Sequence, residues 1–169
     1  MICACIDIGS NTTRLLVADA GDGRLRELVA QRAFTRIGKS LGNGSQIPPE
    51  KIAETAEVVR TQAAVANEVG AEQIVAVATA AIRSAGNRDD LVDAVQEAGG
   101  MELSILSGEE EARLSFVGAT RTMLERPTGT VAVIDVGGGS SEIAVGEPDG
   151  RMTWSESFRI GRASCRERV

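Results

Sequence analysis

The sequence predicts a mixed α/β domain followed by the opening of a second, similar one, and three observations predict it. An apolar, strand-like run at residues 1–6 ends in Asp7-Ile8-Gly9-Ser10-Asn11-Thr12, and another apolar run follows at 14–18. The same arrangement returns at 130–134, with Asp135-Val136-Gly137-Gly138-Gly139-Ser140 and a further run at 142–145. Between the two, helix-period and strand-like segments alternate, the pattern of parallel strands joined by helices.

Residues 1–33 read as three strands in meander order, the third (25–33) entered through the turn Ala20-Gly21-Asp22-Gly23. Residues 34–47 form a loop carrying Gly38, Gly42 and Gly44, long enough to be functional rather than a mere connection. Pro48 and Pro49 open a helix whose Ile52, Ala56, Val59, Ala63 and Ala66 make one apolar stripe, and Gly70 ends it. Residues 73–78 are a Val- and Ala-rich strand of the buried parallel type, with Thr79-Ala80-Ala81-Ile82-Arg83 at its carboxyl end. Asn87 is expected to cap a helix over 88–98, with Asp89 and Asp90 favourable in its first turn.

A strand at 102–106 follows, and Ser107 with Glu110 spells a capping box for a helix running to about 124. Arg126-Pro127-Thr128-Gly129 is the expected boundary, which assigns 1–126 to the first lobe and 127–159 to the start of the second. That second part reads strand, glycine turn, strand, a Glu147-Pro148-Asp149-Gly150 turn, and a last strand at 151–157. Residues 160–169 turn abruptly Arg-rich and aperiodic and are expected to be a non-native readthrough tail.

Of 169 residues, 43% are apolar and 25% charged, which suits a soluble globular chain and excludes a disordered one. No apolar run is long enough to span a bilayer, and Met1 leads into a strand without a basic n-region. The expectation is therefore a cytoplasmic protein with neither signal peptide nor transmembrane helix. A net charge of −6 argues against a nucleic-acid surface, but not against small polyanions where local Arg and Mg²⁺ offset it. With no His in the chain, Ser/His/Asp triads, Cys/His dyads and His-ligated zinc are excluded. Cys3 and Cys5 lie on one face of a strand, poorly placed for a mutual disulfide, and are expected to be small buried hydrophobes.

Small residues in the two turns let backbone N–H groups approach an anion closely, and an aspartate ending the incoming strand suits a divalent cation. One such turn could be an ordinary hairpin; two suggest a pair of facing phosphate loops. The second turn lacks the spacing of a dinucleotide fingerprint, and no G-x-x-x-x-G-K-[ST] occurs. Glu142 could share a metal with Asp135 or be an exposed strand residue. Arg83 could grip phosphate at a strand end or be a surface arginine. The capping box accounts for Glu110 and leaves Glu111, a carboxylate able to orient and deprotonate a water near a phosphate.

Asp7-Ile8-Gly9-Ser10-Asn11-Thr12, Arg36-Ile37-Gly38, Thr79-Ala80-Ala81-Ile82-Arg83 with Asn87, Ser107-Gly108-Glu109-Glu110-Glu111-Ala112-Arg113-Leu114, and Ile134-Asp135-Val136-Gly137-Gly138-Gly139-Ser140-Ser141-Glu142 stand in this order. Together they resemble the exopolyphosphatase / guanosine pentaphosphate phosphohydrolase family of the actin, sugar-kinase and Hsp70-like fold group, over about residues 1–159. The resemblance implies a ribonuclease H-like, actin-type ATPase lobe: a mixed sheet of antiparallel hairpins plus parallel strands flanked by helices, then the start of a second such lobe.

It also implies Glu111 as the base that activates water. Asp135 and Glu142, with Asp7 nearby, would organise Mg²⁺. Gly9, Ser10, Asn11, Thr12, Arg83, Gly137, Gly138, Gly139 and Ser140 would hold phosphate. The implied substrates are inorganic polyphosphate or guanosine pentaphosphate, and the implied assembly of the full-length protein is a homodimer. The family places its site in a cleft between two complete lobes, so this chain alone is expected to turn over polyphosphate poorly. An ATP-binding kinase of the same fold group and a non-hydrolytic phosphate- or nucleotide-sensing domain are the alternative readings.

Overall fold

A computed structural model describes residues 1–21, 25–41, 46–125 and 127–159. Four expectations fall wholly or in part outside the described residues: Asp22-Gly23 of the first turn, Gly42 and Gly44 of the long loop, Arg126 of the expected boundary, and the tail at 160–169. The chain forms two compact units, Met1–Ile105 and Leu106–Val169.

In the first unit, β1 (Ile2–Ile8), β2 (Thr13–Asp19) and β3 (Arg26–Ala33) run as an antiparallel meander. The chain continues through α1 (Ile37–Ser40), α2 (Pro49–Glu68), β4 (Gln73–Ala78), α3 (Ala80–Arg83), α4 (Arg88–Gly99) and β5 (Leu103–Ile105). The sheet order is β3-β2-β1-β4-β5, with β4 parallel to β1 and β5 parallel to β4. The stripe predicted on α2 is the buried one, with Ile52, Ala56, Val59, Ala63 and Ala66 all turned inward. Val59 and Ala63 join Leu91 and Val95 of α4 in one core with Ile6, Ile8, Leu15, Val17, Ala76 and Ala78 of the strands. The helices thus cover the sheet face that carries Ile6 and Ile8.

The opposite face, in register Cys5 beside Leu16 and Val75, stays open within this unit: Leu16 and Val75 are exposed. Cys3 is half-buried and Cys5 exposed, which corrects the expectation of two buried thiols. The reason is parity along β1, since residues two apart share a face and helices cover only the other one. Although Cys5 reaches solvent, the surrounding strands desolvate its thiol, and together with the negative charge of Asp7 they push its pKa above the ordinary value.

Asn87 also departs from expectation. It stands at the start of α4 but its side chain makes no cap hydrogen bond. Its amide instead clamps the end of the long loop: Oδ1 accepts from Ile47 N–H at 2.8 Å, and Nδ2 donates to the Ile47 carbonyl at 3.0 Å. One asparagine thereby satisfies a backbone donor and acceptor of a segment 40 residues away, as a neighbouring strand would.

The second unit comprises α5 (Gly108–Thr122) and a meander of β6 (Val131–Val136), β7 (Ser140–Gly146) and β8 (Met152–Arg159) in the order β6-β7-β8. The predicted capping box starts α5: Ser107 Oγ accepts from Glu110 N–H at 3.1 Å and Glu110 Oε2 accepts from Ser107 N–H at 2.8 Å. Ala112 and Phe116 of α5 are buried with Ala144 of β7, flanked by Val131, Val133 and Met152. The divide between compact units therefore falls before α5, not at residues 126–129 as the Pro-Gly punctuation suggested. The reason is that α5 turns its apolar stripe to the second sheet.

Candidate phosphate-binding turns

The first turn is set by hairpin closure. Gly9 N–H donates to the Thr12 carbonyl at 2.9 Å, and Asp7 stands directly across from Arg14 in the β1–β2 register. A Cβ on Gly9 would lie 3.2 Å from that carbonyl oxygen, so the tight closure favours glycine. Gly9, Ser10 and Thr12 are half-buried and Asn11 is exposed. Thr12 Oγ1 accepts from Arg14 Nε at 3.3 Å.

A second segment braces this turn from the side. Arg36 N–H donates to the Asn11 carbonyl at 3.1 Å and Gly38 N–H to the Ser10 carbonyl at 2.7 Å. A Cβ on Gly38 would come within 3.0 Å of Ser10 Cβ, which explains why glycine stands there. Arg36 itself adopts the left-handed conformation, φ 55°, uncommon outside glycine and asparagine. Behind the turn, the buried hydroxyls of Thr13 and Thr35 meet at 3.1 Å, and Gln62 of α2 donates to the Thr13 carbonyl at 3.4 Å.

Arg83 closes the single helical turn that follows β4, half-buried. Thr79 N–H donates to the Ile8 carbonyl at 3.3 Å, so the β4 carboxyl end and the first turn share one edge of the sheet. That is the edge where open α/β sheets gather ligands.

In the second unit, Gly137 N–H donates to the Ser140 carbonyl at 2.9 Å, the counterpart of the Gly9–Thr12 bond. A Cβ on Gly137 would lie 3.1 Å from that oxygen, matching the constraint at Gly9. Gly137 and Gly138 are exposed, Gly139 is half-buried and Ser140 is buried. Asp135 pairs across the hairpin with Glu142, so both carboxylates point to the face that α5 covers. Asp135 Oδ2 accepts from Ser115 Oγ at 2.6 Å, and Glu142 Oε1 accepts from Ser157 Oγ at 2.9 Å. Glu142 is only 2% exposed, which removes the reading of it as an exposed strand residue.

Glu111 is half-buried in the first turn of α5, one turn before Ser115 on the same helix face. The unit thus places Glu111, Ser115, Asp135 and Glu142 along one helix–strand junction. Ser115 and Ser157 were not singled out in the sequence. The i, i+4 spacing from Glu111 was a signal for Ser115; nothing local marked Ser157, which meets Glu142 only through strand pairing.

Among the described residues no three Asp, Glu or Cys side chains form a metal-holding group. Two carboxylates are enough for Mg²⁺, which retains several waters and takes further oxygens from a phosphate substrate. Asp135 and Glu142 are the candidate pair, since each serine engages one oxygen and a carboxylate has further lone pairs to offer.

Comparisons with known proteins converge. The family model described as the Ppx/GppA phosphatase family matches residues 16–169. Exopolyphosphatase 2 of Mycobacterium tuberculosis is 34% identical over 174 aligned residues, covering 98% of this chain and 54% of that protein. Exopolyphosphatase 1 of Mycobacterium leprae is 32% identical over 142, covering 83% and 42%. The crystal structure of the Aquifex aeolicus Ppx/GppA family member superposes with a TM-score of 0.86 at 30% identity, over 97% of this chain and 53% of that one. The ethanolamine utilization protein EutJ of Carboxydothermus hydrogenoformans, at 16% identity and a TM-score of 0.52 over 95% and 53% of the two chains, shares the fold alone. The chain spans about half the length of the relatives it matches. The two aspartate-bearing glycine turns, the capped Ser107–Leu114 helix start and these likenesses lead to one conclusion: this chain belongs to the Ppx/GppA phosphatase family.

Proposed function

We propose that the protein to which this chain belongs hydrolyses terminal phosphoanhydride bonds of inorganic polyphosphate, with the 5′ γ-phosphate of guanosine pentaphosphate as a second substrate of the same chemistry. The observation that carries this reading is the repeated turn. In both units a glycine N–H closes onto the carbonyl three residues on, at 2.9 Å, directly after a strand whose penultimate residue is aspartate. Phosphoryl transfer asks a protein mainly for positioning and charge neutralisation; backbone donors supply the first, and a guanidinium together with a cation held by acidic side chains would supply the second.

In this reading Ser10, Asn11 and Thr12 donate to phosphate oxygens from the first turn, and Gly138, Gly139 and Ser140 from the second. The Gly9 and Gly137 N–H groups close the turns, and the missing side chains let phosphate approach the backbone. Arg83 adds a planar cationic fork. Asp135 and Glu142 would hold Mg²⁺, with Asp7 as the corresponding acid of the first turn; when bound, the ion neutralises charge on the phosphate oxygens. Glu111 takes the proton of the attacking water at its carboxylate. Ser115 and Ser157 keep the two acidic side chains in one orientation.

Glu111→Gln in the full-length protein tests the assignment. Removing a general base costs on the order of 10²–10⁴ in kcat, and KM for polyphosphate should change little because the phosphate donors are intact. Wild-type rates in the variant would refute Glu111 as the base. Absence of phosphate release from either substrate by the wild-type protein would refute the hydrolase reading.

A further inference from the structure

Beside the first turn lies a basic cluster that the hydrolytic chemistry does not use. Arg14 and Arg32 stand directly opposite each other in the β2–β3 register, both exposed and on the open face of the sheet. Phe34, 52% exposed, carries two guanidiniums: the Cζ of Arg32 at 5.1 Å and of Arg36 at 5.8 Å from the ring centroid. Among the described residues none of these three arginines makes an ion pair. Asp7, in register with Arg14, is the carboxylate nearest in the row, while Glu57 on α2, across the cleft from Arg32, is held by both nitrogens of Arg60.

Like charges directly opposite on a strand pair are destabilising, and the chain as a whole is acidic at −6. The cluster is nonetheless tied to the turn. Arg14 Nε donates to Thr12 Oγ1 at 3.3 Å, and Arg36 N–H donates to the Asn11 carbonyl at 3.1 Å. Arg36 is held in a left-handed backbone conformation where asparagine or glycine would sit more easily. A line of guanidiniums leading away from a phosphate-binding turn matches a ligand that continues past that turn as a string of negative charges. Guanidinium forks recognise phosphate oxygens in pairs, and the Phe34 ring keeps two of them side by side.

We infer that Arg32 and Arg36 on the Phe34 ring, with Arg14 opposite Arg32, form a chain-length subsite: they hold the inner phosphates of a linear polyphosphate whose end occupies the first turn. This rests on the polyphosphate reading above and deepens it, since the cluster would favour long chains over short ones.

The test measures binding of long-chain inorganic polyphosphate and of inorganic tripolyphosphate to the full-length protein over a range of salt concentrations. The double variant Arg32→Ala, Arg36→Asn removes two charges, and asparagine keeps a residue at ease in the left-handed region. The expected result is about tenfold weaker binding of the long chain, tripolyphosphate affinity within about twofold of wild type, and a salt slope shallower by about one for each lost contact. Arg32→Ala alone, at an exposed strand position, should show a smaller loss of the same selectivity and decides the matter if the double variant does not fold. Equal loss of both ligands, or loss of neither, overturns the subsite while the polyphosphate reading stands. Failure of the wild-type full-length protein to bind either ligand overturns the reading and the subsite together.

Discussion

Asp7 and Asp135 are the penultimate residues of strands that enter hairpins of the same design, yet the residues facing them are opposite in charge and in burial. Asp7 faces Arg14, exposed on a sheet side that no helix of its unit covers. Asp135 faces Glu142, 2% exposed beneath α5 and hydrogen-bonded by Ser157. The turns themselves are interchangeable in geometry, with the same Gly N–H closure at 2.9 Å. One backbone motif is therefore tuned in two directions by what packs against it: an open side that keeps cations in water, and a covered side that gathers carboxylates. A buried carboxylate persists only where a donor meets it, and Ser157 is that donor here.

The covered side depends on few residues, and removing its anchor should have the largest effect. Phe116 is fully buried in a cluster whose other buried members are Ala112 and Ala144. Phe116→Ala is expected to destabilise the second unit by about 3–5 kcal/mol. Trp154, the single tryptophan and a β8 residue, reports the transition by fluorescence during denaturant unfolding. An unchanged midpoint would mean that α5 does not hold this sheet. A second comparison bears on the hairpins directly. Glu142→Ala strips Ser157 of its acceptor and should cost about 1–3 kcal/mol. Arg14→Ala, on the open face, should stay within about 0.5 kcal/mol. Equal losses in parallel denaturant titrations would erase the distinction between the two sides.

A pH-dependent effect concerns the start of α5. The Ser107 backbone N–H, and then its hydroxyl, hold the Glu110 carboxyl below its ordinary value of 4.5. Because the folded value lies below the unfolded one, its contribution is complete above about pH 4.5 and fades as pH falls through the folded value. Ser107→Ala should cost about 1 kcal/mol at neutral pH. In Glu110→Gln, which removes the titrating group itself, the loss of stability on acidification should be shallower, as thermal melts at successive pH values would show. An acid limb identical to wild type would remove Glu110 from the account.

Most of the fold was legible because periodicity and punctuation act locally. The α2 stripe from Ile52 to Ala66, the two aspartate turns and the Ser107–Glu110 box all follow from side-chain spacing within a few residues. What escaped was non-local or too short to have a period. The four-residue helices Ile37–Ser40 and Ala80–Arg83 offer no repeat to read. Asn87 looked like a cap because caps are the commonest use of asparagine before a helix, whereas its partner lies at Ile47, far along the chain. Arg126-Pro127-Thr128-Gly129 looked like a boundary because Pro and Gly punctuate chains, but compact units divide where side chains stop packing. Of the candidate site, Glu111, Asp135 and Glu142 were identified by residue type and position; Ser115 and Ser157 became visible only through contact.

By itself the sequence determined the elements, their order, and the presence of two glycine turns that each follow an aspartate. Backbone propensity and small-residue spacing settle such features within a handful of positions. Only the tertiary structure decided that α5 covers the Asp135–Glu142 face while Arg14 and Cys5 remain open on theirs. Which face of a sheet receives a helix is set by long-range burial of apolar stripes, and no short window of sequence contains both partners.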